Sequence, residues 1–430
     1  MSSVKIRNLR WFIVALLCGS SILNYLDRQT LSVLKETIQG ELGFDDIQYS
    51  YITTSFLVSY IFMYAVSGRL MDRLGTRQGF ALFHSGWSVA TMLHALGNSV
   101  VHFSIFRFLL GATQPANFPG GVKGVAEWFP MRERALAIGI FNSGTSIGSA
   151  IALPIVSFVA LMWGWRAAFA VTGALGFIWV VLWLLVYRLP AVHPNLTESE
   201  RQLITEDDAE NDPEMTSQQA RVSTWTLLSM KETWGCIAAR FFTDPISYFL
   251  AFWIPSYLQQ ERGFSLADLG IWGWIPFSAQ ALGNIASGAI PRYLISRGWP
   301  LNRARKTTML VISCLLPVVC LMITRVESWG LALALVAALM FGHAAWGNIT
   351  LPAEVFPQRV VGSVSGFGGA LGGVAGAISQ PAIGWVVQMF SFAPVFAACS
   401  FAYLIAFLLV HFLIGELGVI RRVPGERRYH

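Results

Sequence analysis

Asp27, Arg28, Arg107, Arg240 and Asp244 sit inside long apolar stretches of this 430-residue chain, with Glu127 and Glu354 near the ends of such stretches. Placing such a group inside a membrane-spanning helix costs about 3 kcal/mol or more, so it is expected to face a watery cavity and to have a function. Three guanidiniums against two deep carboxylates leave positive charge in excess. A guanidinium fork holds a carboxylate through two parallel N–H bonds, which lysine cannot copy. The chemistry implied is recognition of a small organic anion.

Spacing separates the roles. Asn24 and Arg28 are four apart and share a helix face with Leu31, whereas Asp27 projects to a neighbouring face, so the adjacent acid and base need not pair. Arg107 and Gln114 are two turns apart on one face, and Arg107 has no acid four positions away, which assigns it to the substrate or to Asp27. Arg240 and Asp244 are also four apart. They form either an ion pair that satisfies both charges, or a substrate-binding arginine with the acid that orients it. Tyr25, Tyr60, Thr145, Tyr248, Trp253, Trp346 and Asn348 place hydroxyl, indole or amide groups amid apolar sequence and are candidate cavity walls.

The elements that must position these residues are set by composition. The chain is 54% hydrophobic and 13% charged, with mean hydropathy +0.55. Soluble domains carry about 25% charged residues, so this chain cannot cover a water-facing surface. That excludes a soluble enzyme, a disordered regulator and a secreted disulfide scaffold, and it makes lipid the solvent. The net charge of +6 forms no dense basic run, which argues against nucleic acid. The five cysteines have no paired spacing and the histidines are isolated, so no metal site is expected. No cofactor or enzyme motif is present, neither a phosphate-binding Gly-rich loop with lysine nor a zinc spacing.

Apolar runs long enough to cross a bilayer lie near 11–33, 49–69, 79–97, 101–126, 135–160, 167–187, 234–258, 267–290, 307–325, 329–350, 361–387 and 392–414. The predicted fold class is all-α: twelve transmembrane helices in two pseudo-symmetric halves. Residues 1–190 form one six-helix bundle, 191–233 an acidic linker that is partly helical, 234–415 a second bundle, and 416–430 a tail. With the N-terminus inside, inner segments hold 23 Lys and Arg and outer loops hold 4, namely Lys35, Arg166, Arg262 and Arg325. This asymmetry predicts cytoplasmic termini. The halves repeat: Ala126–Gly139 and Ala353–Gly366 agree at 6 of 14 positions, after the fourth run of each half. Such repeats around a central site are the architecture of a rocking carrier.

Gly68-x-x-x-Asp72-Arg73-x-Gly75-x-Arg77, between the second and third runs, resembles the cytoplasmic gate motif of the major facilitator superfamily. Glu127, Arg132, Glu133, Arg134, Glu354 and Arg359 are assigned to the same helix-end latches. Asn24-Tyr25-x-Asp27-Arg28, the run from Asn117 to Gly144, Gly164-Trp165-Arg166 and Arg240-Phe-Phe-Thr-Asp244-Pro245 resemble the anion:cation symporter family, most of all its bacterial hexuronate and sugar-acid carriers. The resemblance implies that Asp27 takes up and releases the coupling proton, supported by Arg28. It implies as substrate-binding residues Tyr25, Arg28, Tyr60, Arg107, Gln114, Thr145, Arg240, Asp244, Tyr248, Trp346 and Asn348.

At position 114 many relatives carry a titrating glutamate; glutamine cannot bind or lose a proton, which leaves Asp27 as the main candidate. The expected function is import of a hexuronate or related sugar acid by proton symport with alternating access, in a bacterial inner membrane, by a monomer whose partners are the anion, protons and lipid. A uniporter or exchanger of the same anions, or a non-transporting sugar-acid sensor, remains open. Gly362, Gly366, Gly368, Gly369, Gly372, Gly373 and Gly376 crowd the eleventh run, for close packing or for sliding.

Overall fold

The computed structural model describes residues 5–210 and 223–418. Among them the chain is helical with no strand. Its helices are α1 (Leu9–Leu42), α2 (Asp46–Leu74), α3 (Thr76–Leu93), α4 (Val100–Thr113), α5 (Asn117–Trp128), α6 (Met131–Trp163), α7 (Trp165–Val186), α8 (Glu198–Glu210) and α9 (Thr224–Leu228). They continue as α10 (Lys231–Gln260), α11 (Leu266–Trp272), α12 (Trp274–Ser296), α13 (Leu301–Ile323), α14 (Trp329–Ala345), α15 (Leu351–Val355), α16 (Gln358–Met389) and α17 (Ala393–Ile414). Among the described residues these make twelve spans, with α4 and α5 sharing the fourth, α14 and α15 sharing the tenth, and α8, α9 and α11 standing outside the count. Eight of the spans are long and apolar enough to cross a membrane on those criteria alone. The tenth is counted there as one span, Trp329–Val355; the remaining four are the short α3, the broken fourth span, α10 with Arg240 and Asp244, and α12.

Two runs read as continuous are interrupted, and in the same way. Ser99 caps α4 by accepting from the His102 N–H, and Ser328 caps α14 by accepting from the Leu331 N–H. The fourth span then tightens into a 3-10 turn, Gln114–Ala116, where Pro115 supplies no N–H. The tenth breaks at Gly347, whose φ of 69° only glycine adopts freely, before a 3-10 turn at Asn348–Thr350. Each span ends at a Phe-Pro step, and Pro130 and Pro357 start α6 and α16 with extended backbone. The run near 267–290 also differs: α11, held by a capping box of Ser265 and Asp268, is separate from α12.

The chain parts into two compact units: Met1–Leu31 with Val58–Ala220, and Ser32–Leu57 with Arg221–His430. The first is centred on aromatic and aliphatic side chains, among them Trp128, Phe141, Trp179 and Trp183. Its start is tied to the linker. Glu200 of α8, 4% exposed, accepts the N–H groups of Leu9 (3.0 Å) and Arg10 (3.1 Å) and the Arg10 guanidinium (2.9 Å), so a carboxylate caps α1 from 190 residues away. Arg10 Nε also donates to Glu133 at 3.0 Å. The linker acids Asp212 and Glu214, and the tail from residue 419, lie outside the described residues.

In the second unit, the segment Ser32–Leu57 packs on α10 and α16. Tyr49 donates to the Phe252 carbonyl (3.0 Å), and the Gln380 Oε1 accepts from Trp253 Nε1 (3.0 Å) and Thr53 (3.3 Å). Lys35, expected in an outer loop, lies within α1 and is fully buried. Its ammonium is solvated by Asp46 Oδ1 (2.5 Å), Glu36 Oε1 (3.1 Å) and Ser256 Oγ (2.6 Å), which is why a helix can carry it there.

Candidate functional site

Each of the two interrupted spans carries a buried polar cluster, one in each unit. Irregular backbone at membrane depth is tolerated where protein or a polar cavity satisfies it, and such breaks mark binding sites in carriers.

In the first unit the break at Gln114 faces α1. Gln114 Nε2 donates to the Asn24 carbonyl (2.9 Å), while Asn24 Nδ2 donates to the Gln114 carbonyl (3.4 Å). Arg28 Nε donates to Gln114 Oε1 at 3.2 Å, and its guanidinium lies 4.5 Å from the centre of the Tyr25 ring and 4.9 Å from that of Tyr60. The cation is thus held by two π faces and a neutral amide.

Asp27 turns elsewhere. Both its oxygens are sealed from solvent without an ordinary hydrogen bond; the hydroxyls of Thr172 and Thr91 and the Arg107 guanidinium are the polar groups around it. Arg107, 2% exposed, donates from Nη2 to the Arg28 carbonyl at 3.1 Å. Thr145 only closes its own helix, donating to the Asn142 carbonyl at 2.8 Å.

In the second unit Arg240 and Asp244 pair along α10, Nε–Oδ2 3.0 Å and Nη2–Oδ2 2.8 Å. Across the break in the tenth span, Asn348 Nδ2 donates to Asp244 Oδ1 (3.2 Å) and to Thr243 Oγ1 (2.6 Å). Arg240 Nη1 also reaches the Ser365 carbonyl at 3.4 Å. The glycines of α16 are the floor of this cluster. A Cβ at Gly368 would lie 3.1 Å from Arg240 Cδ, at Gly369 2.7 Å from its Nη1, at Gly372 2.8 Å from Asp244 Cγ, and at Gly376 2.5 Å from Tyr248 Cε2. Arg240, Asp244 and Tyr248, each four apart, thus bed into a row of glycines with matching period. Trp346, 1% exposed, donates to Ser313 Oγ (2.8 Å) and braces the break rather than lining an open wall.

The gate residues sit at helix ends. Asp72 pairs with Lys123 at 2.9 Å, Gly75 turns α2 into α3 with φ 75°, Arg77 Nη2 donates to the Leu184 carbonyl at 2.6 Å, and Gly68 lies against Pro119. Glu127 accepts from Thr76 (2.7 Å) and Tyr187, and Arg134 donates to the carbonyls of Phe129 (2.8 Å) and Ala126 (3.0 Å). Arg73 and Arg132 are exposed. Glu354 binds Arg305 Nε at 2.9 Å, and Arg305, fully buried, also donates to the Ser287 and Gly347 carbonyls and to Thr350. The side chain of Arg359 lies outside the described residues.

Sequence reasoning missed Thr91, Thr172 and Thr243. The threonines carry no charge to stand out in an apolar run. The glycine period of α16 was the available signal for its partner face on α10.

Among the described residues no group of three or more His, Cys, Asp or Glu could hold a metal ion. The model of the Major Facilitator Superfamily matches residues 17–380. The chain is 32% identical to the hexuronate transporter of Escherichia coli (strain K12) over 409 residues, 94% of each chain. It is 33% identical to the galacturonate transporter of Dickeya chrysanthemi over 287 residues, 67% of this chain and 83% of that one. The fold is similar to that of a bacterial homologue of the human lysosomal transporter Spinster, with TM-score 0.72, 16% identity and 95% of each chain covered. The chain is therefore a multi-pass membrane transport protein, not an enzyme, and it belongs to the Major Facilitator Superfamily.

Proposed function

We propose that the protein imports a hexuronate or closely related sugar acid by proton symport with alternating access. The observation that carries this reading is the charge of the two clusters. They hold three guanidiniums, Arg28, Arg107 and Arg240, against two carboxylates, Asp27 and Asp244; the Arg240–Asp244 pair is balanced, so the excess positive charge lies in the first cluster, where Arg28 is bonded to a neutral amide between phenol rings. The relatives named for hexuronate and galacturonate support the substrate class. The cycle begins with Asp27 protonated and the site open to the outside. The substrate carboxylate meets Arg240 or Arg107, the halves rock, and loss of the proton to the cytoplasm releases the anion. Charge asymmetry supports cytoplasmic termini; the reading also takes the protein to work as a monomer in the inner membrane.

The test is substrate-driven pH change in proteoliposomes given D-glucuronate. Uptake accompanied by internal acidification is expected, and Asp27→Asn should abolish accumulation while leaving counterflow exchange. Intact uptake with no proton movement would instead establish the second reading, a uniporter or exchanger, which Gln114 favours because an amide cannot titrate.

A further inference from the structure

The break in the tenth span is gripped on both sides by α10. Beyond it, Asn348 holds Thr243 and Asp244; before it, His343 holds Ser247. His343 Nε2 lies 2.6 Å from Ser247 Oγ, and its Nδ1 lies 2.5 Å from the Tyr403 hydroxyl of α17. Ser247 follows Arg240 and Asp244 at helical spacing, so the imidazole stands one turn along α10 from the Arg240–Asp244 pair.

A hydroxyl both donates and accepts. With a neutral ring, one nitrogen gives its proton to one hydroxyl and the other accepts from the second. With an imidazolium, both nitrogens donate and both hydroxyls accept. The change needs only rotation of one O–H bond, that of the hydroxyl that had donated, and leaves no ring nitrogen without a partner in either state. His84 and His94, buried within the spans of the first unit, are built otherwise. His94 Nδ1 is 2.7 Å from the Ala90 carbonyl, an acceptor only, and the Nε2 atoms of both His84 and His94 are buried with no partner. A second proton on either would meet no acceptor.

We propose that His343 is a proton-binding residue of the transport cycle, loaded together with the anionic substrate and unloaded with it. This rests on the symport reading above. A proton from the side where the substrate enters adds to the lone pair of one ring nitrogen, giving an imidazolium, and leaves from the same nitrogen to water on the other side. No other bond changes. The charge it adds lies about two helical turns along α10 from the arginine that meets the carboxylate, and so favours binding when loaded and release when unloaded.

The groups that set its titration come from each neighbouring helix. α10 supplies Arg240 and Asp244 within two turns of Ser247. From α13, Arg305 reaches the Gly347 carbonyl and is balanced by Glu354 of α15. α17 supplies Tyr403, beside which lie Cys399 and, from α13, Cys320. α12 carries no charge before Arg292.

The test is calorimetry of D-glucuronate binding to the purified full chain in buffers of different ionisation enthalpy, which counts protons taken up per anion bound. Wild type should take up protons, and His343→Gln should take up about half as many if Asp27 and His343 share the load. Ser247→Ala and Tyr403→Phe, which keep the ring and remove one acceptor each, should move the midpoint of proton uptake to lower pH; they decide the matter if His343→Gln does not fold. A coupled wild type with unchanged proton count in His343→Gln, or unchanged midpoints in both hydroxyl variants, overturns this role alone. A wild type that takes up no proton overturns the symport reading as well.

Discussion

Asp244 lies over Gly372 so closely that a Cβ at the glycine would come within 2.8 Å of the carboxyl carbon. The glycines of α16 are therefore a seat cut for the charged face of α10, and the acid, its arginine and Tyr248 are positioned by what the facing helix lacks.

Gly372→Ala should drive Asp244 off its seat and break its bonds to Arg240 and Asn348. Overpacking of this kind costs about 1–3 kcal/mol, so initial rates of glucuronate uptake should fall roughly tenfold or more with the protein still in the membrane. Gly366→Ala, on the same helix with nothing within 4 Å of its Cβ, should transport normally. Equal effects of the two would show that the seat is irrelevant.

Gln114→Glu should keep the acceptor for Arg28 and turn a neutral contact into an ion pair. The guanidinium then has less charge to offer an anion, and glucuronate affinity at pH 8 should drop about tenfold, or 1.4 kcal/mol. At acidic pH the new carboxyl protonates and affinity should recover. Binding measured at both values checks this, and an unchanged affinity at pH 8 would remove Arg28 from the anion site.

Most of the fold was legible because long apolar runs and repeated Phe-Pro steps are strong local signals. The breaks in the fourth and tenth spans were not, since Gln114-Pro115 and Gly347 interrupt hydrogen bonding without interrupting hydropathy. For the candidate site, charge exposed Asp27, Arg28, Arg107, Arg240 and Asp244, but their partners are mostly hydroxyls, amides and glycines contributed by other helices. Lys35 misled for the converse reason: a charge reads as solvated, and only the fold brings Glu36, Asp46 and Ser256 around it.

Glu200→Gln should loosen the start of α1. It weakens a charged acceptor shared by two backbone N–H groups and Arg10, a loss of about 1–3 kcal/mol. Thermal unfolding of the detergent-solubilised protein should shift down, with faster amide exchange confined at first to residues 9–17. Unchanged exchange there would mean that water caps the helix equally well.

Linker docking should weaken in acid. His193 accepts the Asn195 N–H at Nδ1 (3.2 Å) and its Nε2 lies 3.0 Å from the Val186 carbonyl, an arrangement that needs a neutral ring. Burial, helped by Arg188, Arg201 and Lys5, holds its pKa below the ordinary histidine value. The undocked form therefore takes a proton first, and docking is lost as pH falls through and below about 6.5. Trp128, whose ring centre lies 5.5 Å from that of His193, should report this in its fluorescence, and His193→Gln should remove that pH dependence.

The carboxylate that closes the beginning of α1 is synthesised 190 residues later. At about 5–20 residues per second, the first helix spends roughly 10–40 s in the membrane with its leading N–H groups unclaimed by protein. When Glu200 arrives, six spans have already been made, and the docking of α8 ties the last of them back to the first. The contact thus becomes possible only after the first six spans have been synthesised, and before α10 and the spans that follow it have been made.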